Sequence, residues 1–502
     1  MSSIANYSLL PKRNQLLVTR AVQKPPTSTS SPEQLPIQPG DNNPHTWRSI
    51  SGGLNLPSTI SNLLHLSAAP QTLPVALDHD QTPPFSPKDE ISSLRFAIHG
   101  PADWSPLLHP LHPSFRREII KYGEFSQATY DAFDNNPVSE YHGSCLYGQN
   151  RLISLLGLSH HGYSITKYIY ATSHLDFPRW LLRPLLRSKS HWCDESAWMG
   201  FIAVSGDQES RRIGFRDIAV AWRGTVSPSE WLEDFQTQLE LLPGAGVDGA
   251  RVEQGFLSLY TSRSQSSRFT KSSASEQVMR ELLRLVEYYK QKGEEVSVTI
   301  TGHSLGGALA LLNAAEAASL LPSDLGITVI SFGAPRVGNQ AFGEMLKRKG
   351  VKVLRLVTKQ DVVPKMPGVV FNEWMKKKGW EWVYTHAGDE LVLDAGASPY
   401  LKRGMVDIAG FHGLETYLHL VDGYEQGERR FRAGARRDFA LVNKATALLR
   451  DELRIPANWY QPENKGMVRN ELGRWVLPRR DPEDIPSPFG AEKIGSFALA
   501  YE

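Results

Sequence analysis

The stretch VTITGHSLGGALALL, residues 298–312, decides how this chain folds. Its first half is rich in β-branched residues, which predicts a strand, and its second half is rich in small and apolar residues, which predicts a helix. Gly302 and Gly306 lie two residues on either side of Ser304, where the strand turns into the helix. This arrangement is typical of a nucleophile elbow, a strained turn that exposes a serine hydroxyl at the edge of a sheet. The alternative is a tight turn without chemistry.

Further strands and helices alternate on both sides of this stretch. Runs rich in β-branched and apolar residues occur at 217–223, 327–333 and 352–358, and the segment 277–293 repeats its apolar residues at helical spacing. Short apolar strands separated by helices are typical of a sheet that is covered on both faces. The pattern therefore predicts an α/β fold with a mostly parallel central sheet.

A nucleophilic serine needs a base, and the base needs an acid that orients it. In this type of fold the acid and then the histidine follow the serine along the chain. Asp361 lies just beyond the strand at 352–358, and the histidines downstream include His386, His412 and His419. We favour His412 as the base because it lies in a loop before a helical pattern. His419, seven residues later and about two helical turns away, stays open as the second choice.

Hydrolysis of an ester also needs two donors for the oxyanion that forms during the reaction. The backbone N–H of Leu305, the residue after the candidate nucleophile, is in the right place to be one of them. The loop Arg223-Gly224-Thr225 follows an earlier strand and offers the second donor. The alternative is that Arg-Gly-Thr is a plain loop.

The composition excludes several classes of protein. The chain has 502 residues and a net charge of +2, so it has no overall basic field that would indicate binding to nucleic acid. Its two cysteines, Cys145 and Cys193, are too few for a disulfide framework or a metal cluster, and they fit a reducing compartment. No apolar run reaches the ~18 residues of a membrane span, so we expect membrane contact to be peripheral. The sequence indicates no oligomeric state.

Composition also divides the chain into four parts. Residues 1–45 form a leader whose first 32 residues contain no acid but four basic residues and nine serines or threonines, which is typical of an organelle transit peptide. Abundant Ser, Thr and Pro with few arginines favour a plastid over a mitochondrion; the alternative is an ordinary disordered tail. Residues 46–92 are predicted as a poorly ordered linker, 93–480 as the folded domain and 481–502 as a tail.

Aromatic residues near the candidate site suggest contact with lipid. Trp231 follows the Arg-Gly-Thr loop, and the segment 371–384 combines three tryptophans with three successive lysines. Such a mixture suits an interface between apolar chains and anionic headgroups. The favoured alternative is that Trp380 and Trp382 alternate on a core strand while the lysines occupy a solvated turn.

Together these stretches resemble the class 3, or fungal-type, lipases and, within them, the plant group I phospholipases A1 (the DAD1-like acylhydrolases). The resemblance extends over about residues 93–476. It rests on the motifs DIAVAWRGT, EWLEDF, VTITGHSLGGALALLNA, SFGAPRVGN, VVPKMPGVVFNE, FHGLETYLHLVDG and NKGMVRNELGRW.

The resemblance implies an α/β-hydrolase fold with a lid at about 226–235 over the site. It implies a catalytic triad of Ser304 as nucleophile, Asp361 as orienting acid and His412 as general base. Thr225 and Leu305 match its oxyanion-hole positions, and it implies neither a metal nor a cofactor.

The resemblance also implies a substrate and a location. Similar plant proteins are plastid enzymes that cleave the sn-1 acyl ester of phospholipids, and often of galactolipids and triacylglycerols, at a membrane or lipid surface. Some of them release the polyunsaturated acid from which jasmonate is made. Two alternatives remain: a catalytically silent lipase-like signalling protein, and a soluble carboxylesterase that acts on esters other than lipids.

Overall fold

The computed structural model describes residues 88–99, 104–136, 139, 141–172, 196–225, 238–244, 249–265, 267–367, 383–404, 407–427, 430–461, 464 and 467–476. The chain divides into two compact units, Met1–His79 and Asp80–Glu502, and every described residue belongs to the second. Several predicted segments lie outside the described residues: the leader at 1–45, the linker up to residue 87, the lid at 226–235 with Trp231, the aromatic segment up to residue 382, and the tail at 481–502.

The strands of the described residues are β1 (Tyr163–Ala171), β2 (Ala197–Ser205), β3 (Arg216–Trp222), β4 (Leu239–Leu241), β5 (Arg251–Glu253), β6 (Val296–His303), β7 (Gly326–Phe332), β8 (Gly338–Asn339), β9 (Lys352–Thr358), β10 (Tyr384–Thr385), β11 (Asp389–Leu393), β12 (Val468–Arg469) and β13 (Trp475–Val476). Seven of them form the central sheet, in the order β1-β2-β3-β6-β7-β9-β11. β2 runs opposite to the other strands of this sheet, because it pairs antiparallel with both β1 and β3. The remaining pairs are parallel, which confirms the predicted mostly parallel sheet.

The helices of the described residues are α1 (Lys88–Ser93), α2 (Arg95–Ile98), α3 (Ser105–Leu108), α4 (Pro113–Asp131), α5 (Leu152–Leu155), α6 (Asp207–Ile213), α7 (Gln254–Thr261), α8 (Ala274–Gln291), α9 (Leu305–Leu320), α10 (Gln340–Arg348), α11 (Ile408–His412) and α12 (Leu414–Gly423). None of these helices has both the length and the apolar character needed to cross a bilayer. Helices α7 to α10 cover one face of the sheet, and α4 and α12 cover the other. The sheet therefore has a helical layer on each face, as the sequence predicts.

Side chains of the central strands alternate between the two faces. Along β6, Val296, Val298 and Ile300 join the core beneath α9. Between them, the hydroxyls of Ser297 and Thr299 lie on the face of α4. β6 thus has one apolar and one polar face, and both faces are buried. The hydroxyls on its polar face therefore need hydrogen-bond partners inside the protein.

Asp217 of β3 is the partner of those hydroxyls and is fully buried. Its Oδ1 accepts from Ser297 at 2.8 Å and from Thr299 at 2.9 Å. Its Oδ2 accepts from the hydroxyls of Tyr122 at 3.0 Å and Tyr163 at 2.8 Å. Four hydroxyl donors thus satisfy this carboxylate and tie α4, β1 and β6 to β3.

The described residues include a short helix in the segment that the sequence analysis assigns to the linker. Helix α1 starts at Lys88, five residues (93 minus 88) ahead of the predicted boundary. Ile91 is fully buried in the core on the side of α4, and α1 packs against α6. The surrounding Pro, Ser and Asp residues are typical of a linker. The short helix α1 nevertheless packs on the domain, because Ile91 is buried in the core.

Glu253 is a buried carboxyl group at the junction of β5 and α7. Its side chain caps α7 by accepting the N–H of Phe256 at 2.7 Å, and the residue is 3% exposed. Burial raises its pKa from an ordinary 4.5 to about 7. Between these two pH values the folded protein holds a proton that the unfolded chain has lost, so this group makes folding less favourable as the pH rises through that window.

We expect Glu253→Gln to flatten the dependence of stability on pH. The amide keeps an oxygen for the Phe256 N–H but cannot ionise, so the variant gains stability relative to the original chain between pH 5 and pH 8. The gain is at most about 3.5 kcal/mol, because the pKa rises from 4.5 to about 7 and each unit of pH corresponds to ~1.4 kcal/mol. Urea unfolding of both proteins at pH 5 and pH 8 measures it. An equal change with pH in the two proteins would contradict the role of Glu253.

Candidate active site

Ser304 stands alone between the last residue of β6, His303, and the first residue of α9, Leu305. Its backbone has φ 57° and ψ −127°, a region that residues other than glycine rarely occupy. The strain is maintained because the sheet fixes one side of the turn and the helix fixes the other. This geometry is typical of a nucleophile elbow.

The two glycines of the elbow are required by close packing of backbone on backbone. A Cβ atom on Gly302 would lie 2.2 Å from the carbonyl carbon and oxygen of Gly306. A Cβ atom on Gly306 would lie 2.4 Å from the carbonyl oxygen of Trp222, at the end of β3. Neither neighbour is a flexible side chain that could move aside, so any residue larger than glycine would push the turn out of place.

Asp361 and His412 meet beyond the carboxyl ends of β7 and β9. Oδ2 of Asp361 lies 2.7 Å from Nδ1 of His412, and both residues are fully buried. Oδ1 of Asp361 accepts the N–H of Val363 at 2.9 Å. Because the carboxylate accepts from Nδ1, it fixes the orientation of the imidazole and leaves Nε2 as its proton acceptor.

Tyr417 is a member of this cluster that the sequence analysis missed. Its hydroxyl donates to Oδ2 of Asp361 at 2.6 Å and accepts the N–H of Thr358 at 3.2 Å. Asp361 is thus held by a tyrosine, a histidine and a backbone N–H. The stretch FHGLETYLHLVDG contains this tyrosine, but no spacing distinguishes it from an ordinary core residue of α12.

The backbone links Ser304 to the pair formed by Asp361 and His412. The N–H of Ser304 donates to the carbonyl of Phe332 at 2.9 Å. Gly333, the next residue, is packed so closely that a Cβ there would lie 3.1 Å from Oδ2 of Asp361 and 3.2 Å from Cε1 of His412. Nε2 of His412 is buried and finds no hydrogen-bond partner in the described part of the chain. A general base needs a nitrogen of this kind, which can accept a proton and is not already bonded to another donor.

His419 and His386 lie in other surroundings. Nε2 of His419 bonds the hydroxyl of Ser398 at 2.8 Å, and burial lowers its pKa to about 4. Nε2 of His386 bonds the carbonyl of Pro364 at 2.8 Å, and burial lowers its pKa to about 3. His412 and His419 do not share one helical face, because Gly413, with φ −59° and ψ 130°, separates α11 from α12.

The two oxyanion-hole candidates lie at the ends of adjacent elements. Leu305 begins α9, so its N–H belongs to the first turn of the helix, where donors have no partner within the helix. Thr225 follows β3 and is buried, and its Oγ1 has no hydrogen-bond partner within the described residues. The loop lies close to the elbow, since a Cβ on Gly224 would be 2.5 Å from the carbonyl oxygen of His303.

One group of side chains has the composition of a metal site. Ligand atoms of Glu124, His160 and His161 lie within 4.8 Å of one another, the one such group found among the described residues. Oε2 of Glu124 already bonds Nε2 of His161 at 2.8 Å, and its other oxygen is paired with Arg437. A metal ion would have to compete with that arginine, so the cluster is adequately explained as an ion-pair network.

The chain is similar to several known proteins. A family model of class 3 lipases matches residues 219–371. Phospholipase A1-Igamma1, chloroplastic, of Arabidopsis thaliana is 44% identical over 402 residues, which cover 76% of this chain and 78% of that protein. Phospholipase A(1) DAD1, chloroplastic, of the same plant is 37% identical, covering 82% of this chain and 89% of that protein. Among solved structures, lipase II from Rhizopus niveus is 23% identical over 56% of this chain and 82% of that chain, with a TM-score of 0.36.

The residues matched to the family model include the elbow, Asp361 and most of the parallel strands. The similarity to the two plant proteins extends over more than three quarters of each chain, well beyond the elbow. The chain therefore belongs to the class 3 lipases, in the group that contains the plant phospholipases A1.

Proposed function

We propose that this protein is a serine acylhydrolase that releases the sn-1 fatty acid of glycerolipids. Ser304 is the nucleophile, His412 the general base and Asp361 the orienting acid, with Thr225 and Leu305 as the oxyanion donors. The observation that carries this assignment is the buried imidazole of His412, with Nδ1 held by Asp361 and Nε2 open, in contact with His303, which directly precedes the strained Ser304.

The first half of the reaction forms an acyl-enzyme. Nε2 of His412 takes the hydroxyl proton of Ser304 as its oxygen attacks the ester carbonyl. The N–H groups at the start of α9 and on the loop after β3 stabilise the resulting oxyanion. When the intermediate collapses, the bond to the glycerol oxygen breaks, and the proton on His412 passes to that oxygen as the lysolipid leaves.

The second half of the reaction releases the acid. Nε2 of His412 takes a proton from water, which attacks the acyl-enzyme, and the proton then returns to the oxygen of Ser304. No metal or cofactor is needed for either half. The sn-1 position and the phospholipid substrate are supported by the plant relatives, whose names identify them as phospholipases A1. Galactolipids and triacylglycerols are further substrates under this proposal.

The proposed place of action is the plastid, at the surface of membranes or lipid bodies. Four of the relatives are named as chloroplastic proteins, and the acid-free leader of this chain has the composition of a transit peptide. Residues 1–45 are then the transit peptide and leader, with the catalytic domain continuing to about residue 480. A mitochondrial location is the second choice.

Two other functions stay as alternatives. A catalytically silent signalling protein could retain the fold, since a fold does not imply an activity. The intact trio of Ser304, Asp361 and His412 argues against it, because a scaffold without catalysis has no need of a strained serine. A soluble esterase would use the same residues on small esters, and the transit-like leader argues against it.

The first prediction concerns the nucleophile and the bond that is cleaved. The full chain is incubated with phosphatidylcholine, monogalactosyl diacylglycerol or triacylglycerol, each labelled in the sn-1 or the sn-2 acyl group, and the released acid is counted. We expect release mainly from sn-1, and a loss of at least about a thousandfold in Ser304→Ala, because the variant cannot form the acyl-enzyme.

The outcomes separate the alternatives. Undiminished release by Ser304→Ala would remove Ser304 from the mechanism, and release mainly from sn-2 would sink the sn-1 assignment. Hydrolysis of p-nitrophenyl acetate without hydrolysis of any lipid would favour the soluble esterase. Absence of both would favour the silent protein. Thermal unfolding of the variant is the control for its fold.

The second prediction concerns the base. We expect His412→Ala to lose about as much activity as Ser304→Ala, and the double variant to lose little more, because the two residues act as one unit. His419→Gln is the matched control, since it alters a buried histidine of the neighbouring helix but keeps a partner for Ser398. It should retain activity within about threefold. A larger loss in His419→Gln than in His412→Ala, measured as kcat with the same labelled lipid, would reverse the assignment.

The third prediction concerns the leader. The full chain, made in vitro with a radioactive label, is offered to isolated chloroplasts and to isolated mitochondria. We expect chloroplasts to import it and shorten it, whereas a chain without residues 1–45 stays outside. A matched variant in which Lys12, Arg13, Arg20 and Lys24 are all glutamate should be imported poorly, because a transit peptide is basic and poor in acids. Import by mitochondria alone would overturn the plastid assignment.

A further inference from the structure

His303, the residue before the nucleophile, is more than part of the turn. Its Nε2 lies 2.7 Å from the backbone carbonyl of His412, and its Nδ1 lies 2.7 Å from the hydroxyl of Tyr130. The rings of His303 and His412 are in contact, with their centroids 4.5 Å apart. A single imidazole thus joins the elbow to the backbone of the candidate base.

The hydrogen bonds define the tautomer of His303. A carbonyl oxygen can only accept, so Nε2 carries the proton and donates it to His412. Nδ1 is then an acceptor, and the hydroxyl of Tyr130 donates to it. The hydroxyl oxygen of Tyr130 also lies close to the backbone of Gly224, the residue before Thr225. The series of contacts therefore runs from Gly224 to Tyr130, then to His303 and finally to the carbonyl of His412.

These contacts connect four elements that are far apart in sequence. Gly224 belongs to the loop after β3, His303 ends β6, and His412 ends α11, while Tyr130 reaches them from α4. Contact at the loop is very close, since a Cβ on Gly224 would lie 2.1 Å from the Tyr130 hydroxyl. A shift of the phenol would consequently displace either the oxyanion loop or the base.

We propose that Tyr130 and His303 are positioning residues of the acyl-transfer reaction, which together hold the oxyanion loop and the backbone of His412 in register with Ser304. This inference rests on the proposed function. Neither residue needs to touch the substrate or exchange a proton with it. Their effect is on the distance and angle between Nε2 of His412, the serine and the oxyanion donors, to which catalytic rates are very sensitive.

The charge state of His303 fits this role. Burial and the neighbouring His412 hold the pKa of His303 well below its usual range, so its ring is neutral when His412 receives a proton. A positive charge on His303 would oppose the imidazolium that forms on the ring beside it. It would also place a proton on Nδ1, where Tyr130 donates. A neutral imidazole is thus the form that suits both neighbours.

Tyr130→Phe tests the proposal, with Tyr122→Phe as its matched control. Both tyrosines lie on α4, and both lose a hydroxyl bonded to a partner across the interior: His303 for Tyr130 and Asp217 for Tyr122. Steady-state hydrolysis of sn-1-labelled phosphatidylcholine is measured for each. We expect Tyr130→Phe to lower kcat about 10- to 100-fold with KM changed less than about threefold, and Tyr122→Phe to change kcat less than about threefold. Equal losses of kcat in the two variants, or a change confined to KM, would overturn the proposal.

His303 supplies the second measurement. His303→Gln retains an amide donor for the carbonyl of His412, whereas His303→Leu retains none, so kcat should be at least about tenfold higher in the glutamine variant. A double-mutant cycle of Tyr130→Phe with His303→Gln should show strong coupling, because both changes break the same hydrogen bond. Additive losses would overturn the linkage. Ser304→Ala in the same assay keeps the tests separate: if it retains activity, the proposed function fails, and if only the cycle is additive, the positioning role alone fails.

Discussion

The structure depends on one close contact, in which the backbone turn after β6 is pressed against its own helix and against the end of β3. A Cβ on Gly302 would lie 2.2 Å from Gly306 and a Cβ on Gly306 would lie 2.4 Å from Trp222, so neither position has space for a side chain. These contacts force Ser304 into a positive φ, and the strain is stable because β6 is a central strand with a parallel neighbour on each side. Ser304 is therefore fixed at the carboxyl end of β6, where it is only 3% exposed.

The other candidate groups lie close to the same edge of the sheet. The carbonyl that ends β7 accepts the N–H of Ser304, and the glycine that follows it packs against both Asp361 and His412. The loop after β3 approaches the carbonyl of His303. The oxyanion loop follows β3 and Gly333 follows β7, both adjacent to β6, while Asp361 follows β9, one strand further away, and holds His412. A parallel sheet places the carboxyl ends of its strands at a common edge, so residues distant in sequence converge there.

The sequence predicts the features that depend on residues close together in the chain. The elbow, the strands around it and the place of Asp361 after β9 follow from glycine spacing, β-branched runs and the order of elements along the chain. The choice between His412 and His419 could not be made in the same way, since helical spacing puts them on one face and only the break at Gly413 separates them. Tyr417, Tyr130 and His303 carry no local signal at all, because their partners come from other elements. The start of α1 was missed for the same reason: Ile91 is ordered by the core that it reaches, and its own segment resembles a linker.

Two buried carboxylates show how a catalytic site differs from the rest of the core. Asp217 and Asp361 are both fully buried, and both accept several hydrogen bonds on the face of the sheet that α4 and α12 cover. The partners of Asp217 are four hydroxyls, none of which changes its charge near neutral pH, so this carboxylate only connects elements. Asp361 has a hydroxyl and a backbone N–H among its partners, but its third partner is an imidazole with an open nitrogen. The imidazole can gain a proton on that nitrogen, and the carboxylate then stabilises the charge. Asp217 bonds only hydroxyls, whereas Asp361 bonds an imidazole whose second nitrogen is open. This difference separates a structural carboxylate from one that can support catalysis.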